Sequence, residues 1–209
     1  MLKQVDKTAI FVNPTPTKPI KVELPKNAGR LLKPHKQYLI KRGFNPNQIT
    51  KLWQIYGIGI STTLSWRIVI PIFVNGELVS WTTRSISDNH RLRYVSAPKS
   101  AEKVHHKHTL YGIDNCNTTI IITEGPFDVW RIGYGAVATF GVAYTREQVL
   151  LMKNFPRRII CFDNDAITQA YRLAQLLAIF DGQTLVVELD SKDPASAANK
   201  EISLLRKML

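Results

Sequence analysis

Residues 158–165 read RIICFDND. An apolar run of this length, bounded by turn-forming residues, predicts a buried strand. It ends on Asp163 and Asp165, two carboxylates separated by one residue. Two such charges about 4 Å apart repel by roughly 4 kcal/mol at an effective dielectric near 20. A chain that gathers them at a strand end has a cation in view.

The surrounding pattern fixes the class. From residue 117 apolar runs alternate with helical patterns: NTTIIITEG, PFDVWRIGYG, AVATFG, TREQVLLMKNF, RRIICFDND, AITQAYRLAQLLAIFDG, TLVVELD and PASAANKEISLLRKML. Strands alternating with helices predict a parallel sheet with crossover helices. Ligands of such sheets bind beyond the carboxyl ends of the strands. Glu124 follows TIIIT, Asp163 and Asp165 follow IICF, and Asp193 follows TLVVELD. Asp128 lies four residues after Glu124, one turn into the next helix, and can face the same crevice. Each acid alone also reads as a helix cap or first-turn residue. Together, from three strands, they predict a site for a hard divalent ion such as Mg2+.

Upstream the pattern differs. Residues 1–34 hold five of the eleven prolines and predict an extended basic arm or linker. Residues 35–56 predict two short helices, the second capped by Asn45 with Pro46 at its first position. WRIVIPIFV and LVSWTTRSI, joined through Asn75-Gly76, predict a hairpin, in which Trp66 and Trp81 are expected in the core. A basic loop follows, to residue 112. The expected domains are therefore 1–34, a small basic α+β subdomain over 35–112, and the α/β domain over 113–209.

Charge follows the same division. The net charge is +12. Residues 1–110 carry 18 Lys and Arg against 5 Asp and Glu, and residues 111–209 carry 10 against 11. A basic half beside an acid-bearing half implies a polyanionic partner held next to a cation site. Two cysteines, Cys116 and Cys161, cannot build a four-cysteine zinc ribbon, and Cys161 is expected in the core. HHKH at 105–108 sits in the basic loop, and no zinc is expected. No apolar run approaches the roughly 20 residues that span a bilayer. The expectation is a cytoplasmic protein without a membrane partner.

IIITEGPFDVW, IICFDND and SKDPAS resemble the three acidic motifs of the TOPRIM domain, shared by bacterial-type primases, type IA and II topoisomerases and some nucleases. YLIKRGF, WRIVIPIF, GELVSWTTRSI, RLRYVSAPKS and TLYGI follow one another as in bacterial and phage DNA primases. The resemblance covers about residues 35–195. It implies a TOPRIM-type sheet flanked by helices and the synthesis of short RNA primers on single-stranded DNA from ribonucleoside triphosphates. It implies Glu124, Asp163 and Asp165 as catalytic acids holding Mg2+ or Mn2+, with Asp128 and Asp193 as supporting acids. Arg84, Arg91, Arg93, Tyr94, Lys99 and Lys107 fall to the template or the nucleotide. A replicative helicase or a separate template-recognition chain is the implied partner, in a bacterial cell or encoded by a phage. The usual Gly between the two aspartates is Asn164 here, and the usual Ala-Gly that follows is Ile167 and Thr168. A side chain at 164 stands where backbone would approach a ligand. The other readings are a TOPRIM nuclease and a non-catalytic module that binds single strands.

Overall fold

The computed structural model describes residues 21–87 and 91–209. Residues 1–20 of the arm and 88–90 of the basic loop lie outside the described residues.

Two four-stranded sheets carry the fold. The first runs β1(Tyr56–Ile58), β2(Arg67–Val74), β3(Glu77–Ser85) and β4(Tyr94–Ser96), antiparallel throughout. Helices α1(Lys33–Lys41) and α2(Pro46–Trp53) precede it. Asn45 caps α2 as expected, accepting from the amides of Asn47 and Gln48 at 3.0 and 3.1 Å. The β2–β3 turn places Asn75 and Gly76 at φ 53° and 74°, the pair that a two-residue turn with matching twist requires. Both amides donate to the carboxylate of Asp114 at 2.8 Å, which ties the hairpin tip to the chain entering the second sheet.

The strands β1 and β4 are not legible in the sequence. Each has three residues, and their neighbours supply the pairing. The described part of the arm, from residue 21, is laid against the first sheet. Gly29 and Gly57 exchange amide hydrogen bonds at 3.0 and 2.8 Å, and Glu23 O accepts from the indole of Trp81 at 3.1 Å. Trp81 is buried as expected, whereas Trp66 is only half-buried and precedes β2 at φ 55°.

The second sheet has the order β6-β5-β7-β8, with β5(Thr119–Thr123), β6(Ala136–Ala138), β7(Arg157–Ile160) and β8(Gln183–Val186) all parallel. The crossover helices are α3(Pro126–Ile132), α4(Arg146–Met152) and α5(Ile167–Leu177). Alternation along β5 divides the core. Ile121 points to one face with Ile159, Val129 and the aromatic residues of α2 and α3. Ile120 and Ile122 point to the other, with Val149, Leu173 and Leu177. The segment expected as one terminal helix is two pieces, a 3-10 turn Pro194–Ser196 and α6(Asn199–Arg206). The break arises because Asp193 caps the turn through Ser196 N at 2.7 Å, and Glu201 separately accepts from Ala198 N at 3.1 Å. No helix among the described residues is long and apolar enough to cross a membrane.

The seam between the sheets is aromatic. Phe127 and Trp130 of α3 lie 4.5 Å apart, Phe44 meets Phe127 edge-on at 5.6 Å, and Trp130 Nε1 donates to Tyr111 at 2.8 Å. This packing fixes α3, and with it the loop bearing Glu124.

Candidate active site

Register sets the acids. Ile122 of β5 pairs with Ile160 of β7, so the two chains leave the sheet side by side. Glu124 then stands next to Asp163, whose amide donates to Glu124 Oε1 at 3.2 Å. One carboxylate oxygen from each of Glu124, Asp163 and Asp165 lies within 4.8 Å of the others. Glu124 and Asp163 are half-buried and Asp165 is exposed.

Among the described residues no Lys or Arg forms an ion pair with these three acids. Their titration reflects that. Burial first, then the charge of Asp163, pushes Glu124 up to about 7. Burial, then Asp193 and Asp165, pushes Asp163 up to about 6. Carboxylates that converge in this way without a direct ion pair, with only the charge of Lys192 opposing the rise at Asp163, fit a divalent cation held by oxygen.

Asp128 takes a different place. It is buried, and its two oxygens accept from the amides of Gly125 at 2.9 Å and Ala195 at 3.1 Å. It therefore ties the start of α3 to the turn that follows Asp193. Burial, then Asp163, pushes it up to about 7. Asn164 does similar work from the other side. Its side-chain amide donates to Leu189 O and Ser191 O, both at 3.0 Å, and its backbone amide donates to Lys192 O at 2.9 Å. The side chain expected to intrude on a ligand turns instead into the loop that delivers Asp193. Ile167 packs beside the core, and Thr168 is exposed.

Across from the acids stands a basic wall. A cavity of about 390 Å³ is lined by Glu124, Asp128, Asp163 and Asp193 on one side, and by Arg42, Arg84, Arg93 and Tyr94 on the other. Arg84 lies 4.9 Å from the Tyr94 ring and 5.6 Å from Phe127, and its Nε donates to Tyr38 at 3.2 Å. Arg42 stacks on the opposite part of this aromatic group, 5.0 Å from Phe127 and 6.0 Å from Tyr38. Such stacking holds each guanidinium fork against an aromatic face. Arg67, wholly buried, donates to Leu92 O at 2.6 Å and so anchors the basic segment.

Three of the expected nucleotide-binding residues do not reach this cavity. Lys99 and Arg91 are exposed outside it. Lys107 turns inward, and its ammonium donates to Thr139 O at 2.8 Å, Phe140 O at 3.2 Å and Ala143 O. The carbonyls replace water around that ammonium and leave it as a strut. The sequence reading missed Arg42, Thr82, Ser96 and His106, which also line the cavity. Period two along β3 would have found Thr82 once Arg84 was chosen, because both share a face. Thr82 pairs with Ser96 as Arg84 pairs with Tyr94.

No protein-family profile matches the chain. It is 30% identical over 150 residues to the DNA primase of Clostridium acetobutylicum, an alignment that covers 64% of this chain and 24% of that protein. The chain thus spans about a quarter of the length of that relative. Its fold matches the Aquifex aeolicus primase, zinc-binding and RNA polymerase domains, with a TM-score of 0.70 at 19% identity, covering 85% of this chain and 55% of that one. It matches the Escherichia coli primase catalytic core with a TM-score of 0.67 at 21% identity, covering 83% and 72%. The parallel four-stranded sheet flanked by helices is the fold of the primase catalytic core.

Proposed function

We propose that this chain synthesises short RNA primers on single-stranded DNA, as a primase-type nucleotidyltransferase. The observation that carries the proposal is the cavity itself. Glu124 and Asp163 of the clustered triad, with Asp128 and Asp193, share a cavity of about 390 Å³ with Arg42, Arg84 and Arg93. Sequence similarity to a primase and the shared core fold support the same reading.

Divalent ions, when bound, would supply an activated 3′-hydroxyl and neutralise the triphosphate. Glu124, Asp163 and Asp165 are the residues that would hold them. Asp128 positions the wall by gripping two backbone amides. Arg84 and Arg42, stacked on aromatic rings, orient the phosphates through paired N–H donors. Tyr94, Thr82 and Ser96 lie along the strands that would carry base and sugar. A replicative helicase or a separate template-recognition chain is the partner that belongs to this reading.

The test supplies single-stranded DNA, ribonucleoside triphosphates and Mg2+ or Mn2+ to the purified protein and to Asp163→Ala. Short RNA from the parent and none from a folded variant is the expected result. DNA fragments would identify a nuclease, and salt-sensitive binding alone a binding module. Normal primer synthesis by Asp163→Ala would remove the proposal.

A further inference from the structure

A second cluster lies outside the acid triad, on the short connection between β4 and the second sheet. Glu102 follows a 3-10 turn, Lys99–Ala101, and the amides of Lys103 and Val104 hold the segment to Val79 O at 2.8 and 3.3 Å. The Glu102 side chain is 2% exposed. A carboxylate buried this deeply requires a counter-charge or a full set of donors. Its Oε2 has donors, Ser80 Oγ at 2.7 Å and the amide of His106 at 3.2 Å. Its Oε1 has no hydrogen-bond partner among the described residues, and neither has Nδ1 of His106. No Lys or Arg forms an ion pair with Glu102 among the described residues, because the adjacent Lys103 turns to Glu77.

The distances discriminate between a hydrogen-bonded cluster and a coordination site. His105 Nε2 lies 3.6 Å from Glu102 Oε1, and His106 Nδ1 lies 3.7 Å from Oε2. Both are too long for good hydrogen bonds. Two ligand atoms at about 2.1 Å from one tetrahedral ion stand about 3.4 Å apart. One ligand atom from each of Glu102, His105 and His106 lies within 4.8 Å of the others. The rings of His105 and His106 are 4.5 Å apart and tilted by 32°, so both can turn an edge toward the same point.

We propose that Glu102, His105 and His106 form a second metal site, distinct from the acid triad, for a borderline transition-metal ion such as Zn2+. Two imidazole nitrogens and one carboxylate oxygen favour Zn2+ or Co2+ over Mg2+. The donors to Oε2 orient the carboxylate and leave Oε1 for the ion. A three-residue set leaves an open position, and His106 also lines the main cavity. An ion here would brace the loop that forms one wall of that cavity. Nδ1 of His105 accepts from the Lys107 amide at 3.2 Å, which puts its ring proton on Nε2. Binding at Nε2 moves that proton to Nδ1 and gives up this contact, so the tautomer reports occupancy.

The test titrates the full chain with Zn2+ in saturating Mg2+, which occupies the acid triad. Histidine side-chain nitrogen resonances and competition with a chromophoric chelator give site and affinity. The expected result is one tightly held Zn2+, a change of tautomer at His105, and at least tenfold weaker binding in Glu102→Gln and in His105→Asn. The Gln variant keeps an acceptor for Ser80. Should it fail to fold, His105→Asn, at a partly exposed position, decides alone. Static histidine resonances would overturn the proposal. So would Zn2+ binding that survives both substitutions and is lost in Asp163→Asn. Primer synthesis is not the readout, so failure here is distinguishable from failure of the proposed activity.

Discussion

The backbone amide of Asp163 donates to the carboxylate of Glu124 at 3.2 Å. One acid is thus positioned by the backbone that carries the other, and the two cannot move apart independently. Glu124→Gln keeps an acceptor for that amide and removes a charge. It should retain the fold, by circular dichroism, while primer synthesis falls by at least about a hundredfold. Near-normal synthesis by the Gln variant would exclude Glu124 from the chemistry.

The same crowding predicts how stability follows pH. Glu124 and Asp128 are raised to about 7 and Asp163 to about 6. The folded state therefore holds protons that the unfolded chain has released. For each group the favourable contribution is complete below its unfolded pKa and is lost as pH rises through its folded value. Without divalent ions, the acid site should weaken the fold between about pH 4 and 7. Mg2+ should raise the melting temperature at pH 8 and do little at pH 5. Asp163→Asn should be more stable than the parent at pH 8 in chelator. Equal melting temperatures at pH 8 would contradict the raised values.

Metal uptake should also release protons. Between pH 6 and 7, Glu124, Asp128 and Asp163 are partly protonated, and a divalent ion displaces those protons. Calorimetry in buffers of different ionisation enthalpy reads this directly. The binding heat should depend on the buffer at pH 6.5 and lose that dependence by pH 8.5.

Asn164 provides a test of positioning. Its amide spans Leu189 O and Ser191 O in the loop leading to Asp193. Asn164→Gly removes both bonds, at about 1 kcal/mol each. The expected outcome is a lower melting temperature and a higher Mg2+ requirement, with the acid triad intact. An unchanged metal requirement would mean that the loop holds its place without Asn164.

Gly57 tests the packing beneath the basic half. A Cβ there would stand 2.9 Å from the buried ring of His35, whose Nε2 meets Ile58 O at 3.0 Å. Gly57→Ala should cost about 1–3 kcal/mol, the usual range for overpacking, read by denaturant unfolding.

What could be read from the sequence followed periodicity. The alternating strands and helices after residue 117 announce themselves, because each apolar run is long enough to repeat. The three-residue strands β1 and β4 do not, since pairing with β2 and β3 defines them. The acids were legible because strand ends converge by topology. The inward turn of Lys107 was not legible because its partners, the carbonyls of Thr139, Phe140 and Ala143, come from a distant loop. Arg42 was overlooked because its place beside the cavity depends on Phe127, far along the chain. Asn164 looked like an obstruction because the loop that receives it was not yet in place.

Phe127 has one more consequence. Three residues beyond Glu124, its ring is wedged into the aromatic seam while two guanidinium groups rest on it. Phe127 thus links the strand end bearing Glu124 to two of the arginines, with Tyr94 and Tyr38 as their other supports. Resizing that ring would disturb the core and the placement of the guanidinium groups together, so the interior and the cavity share one element.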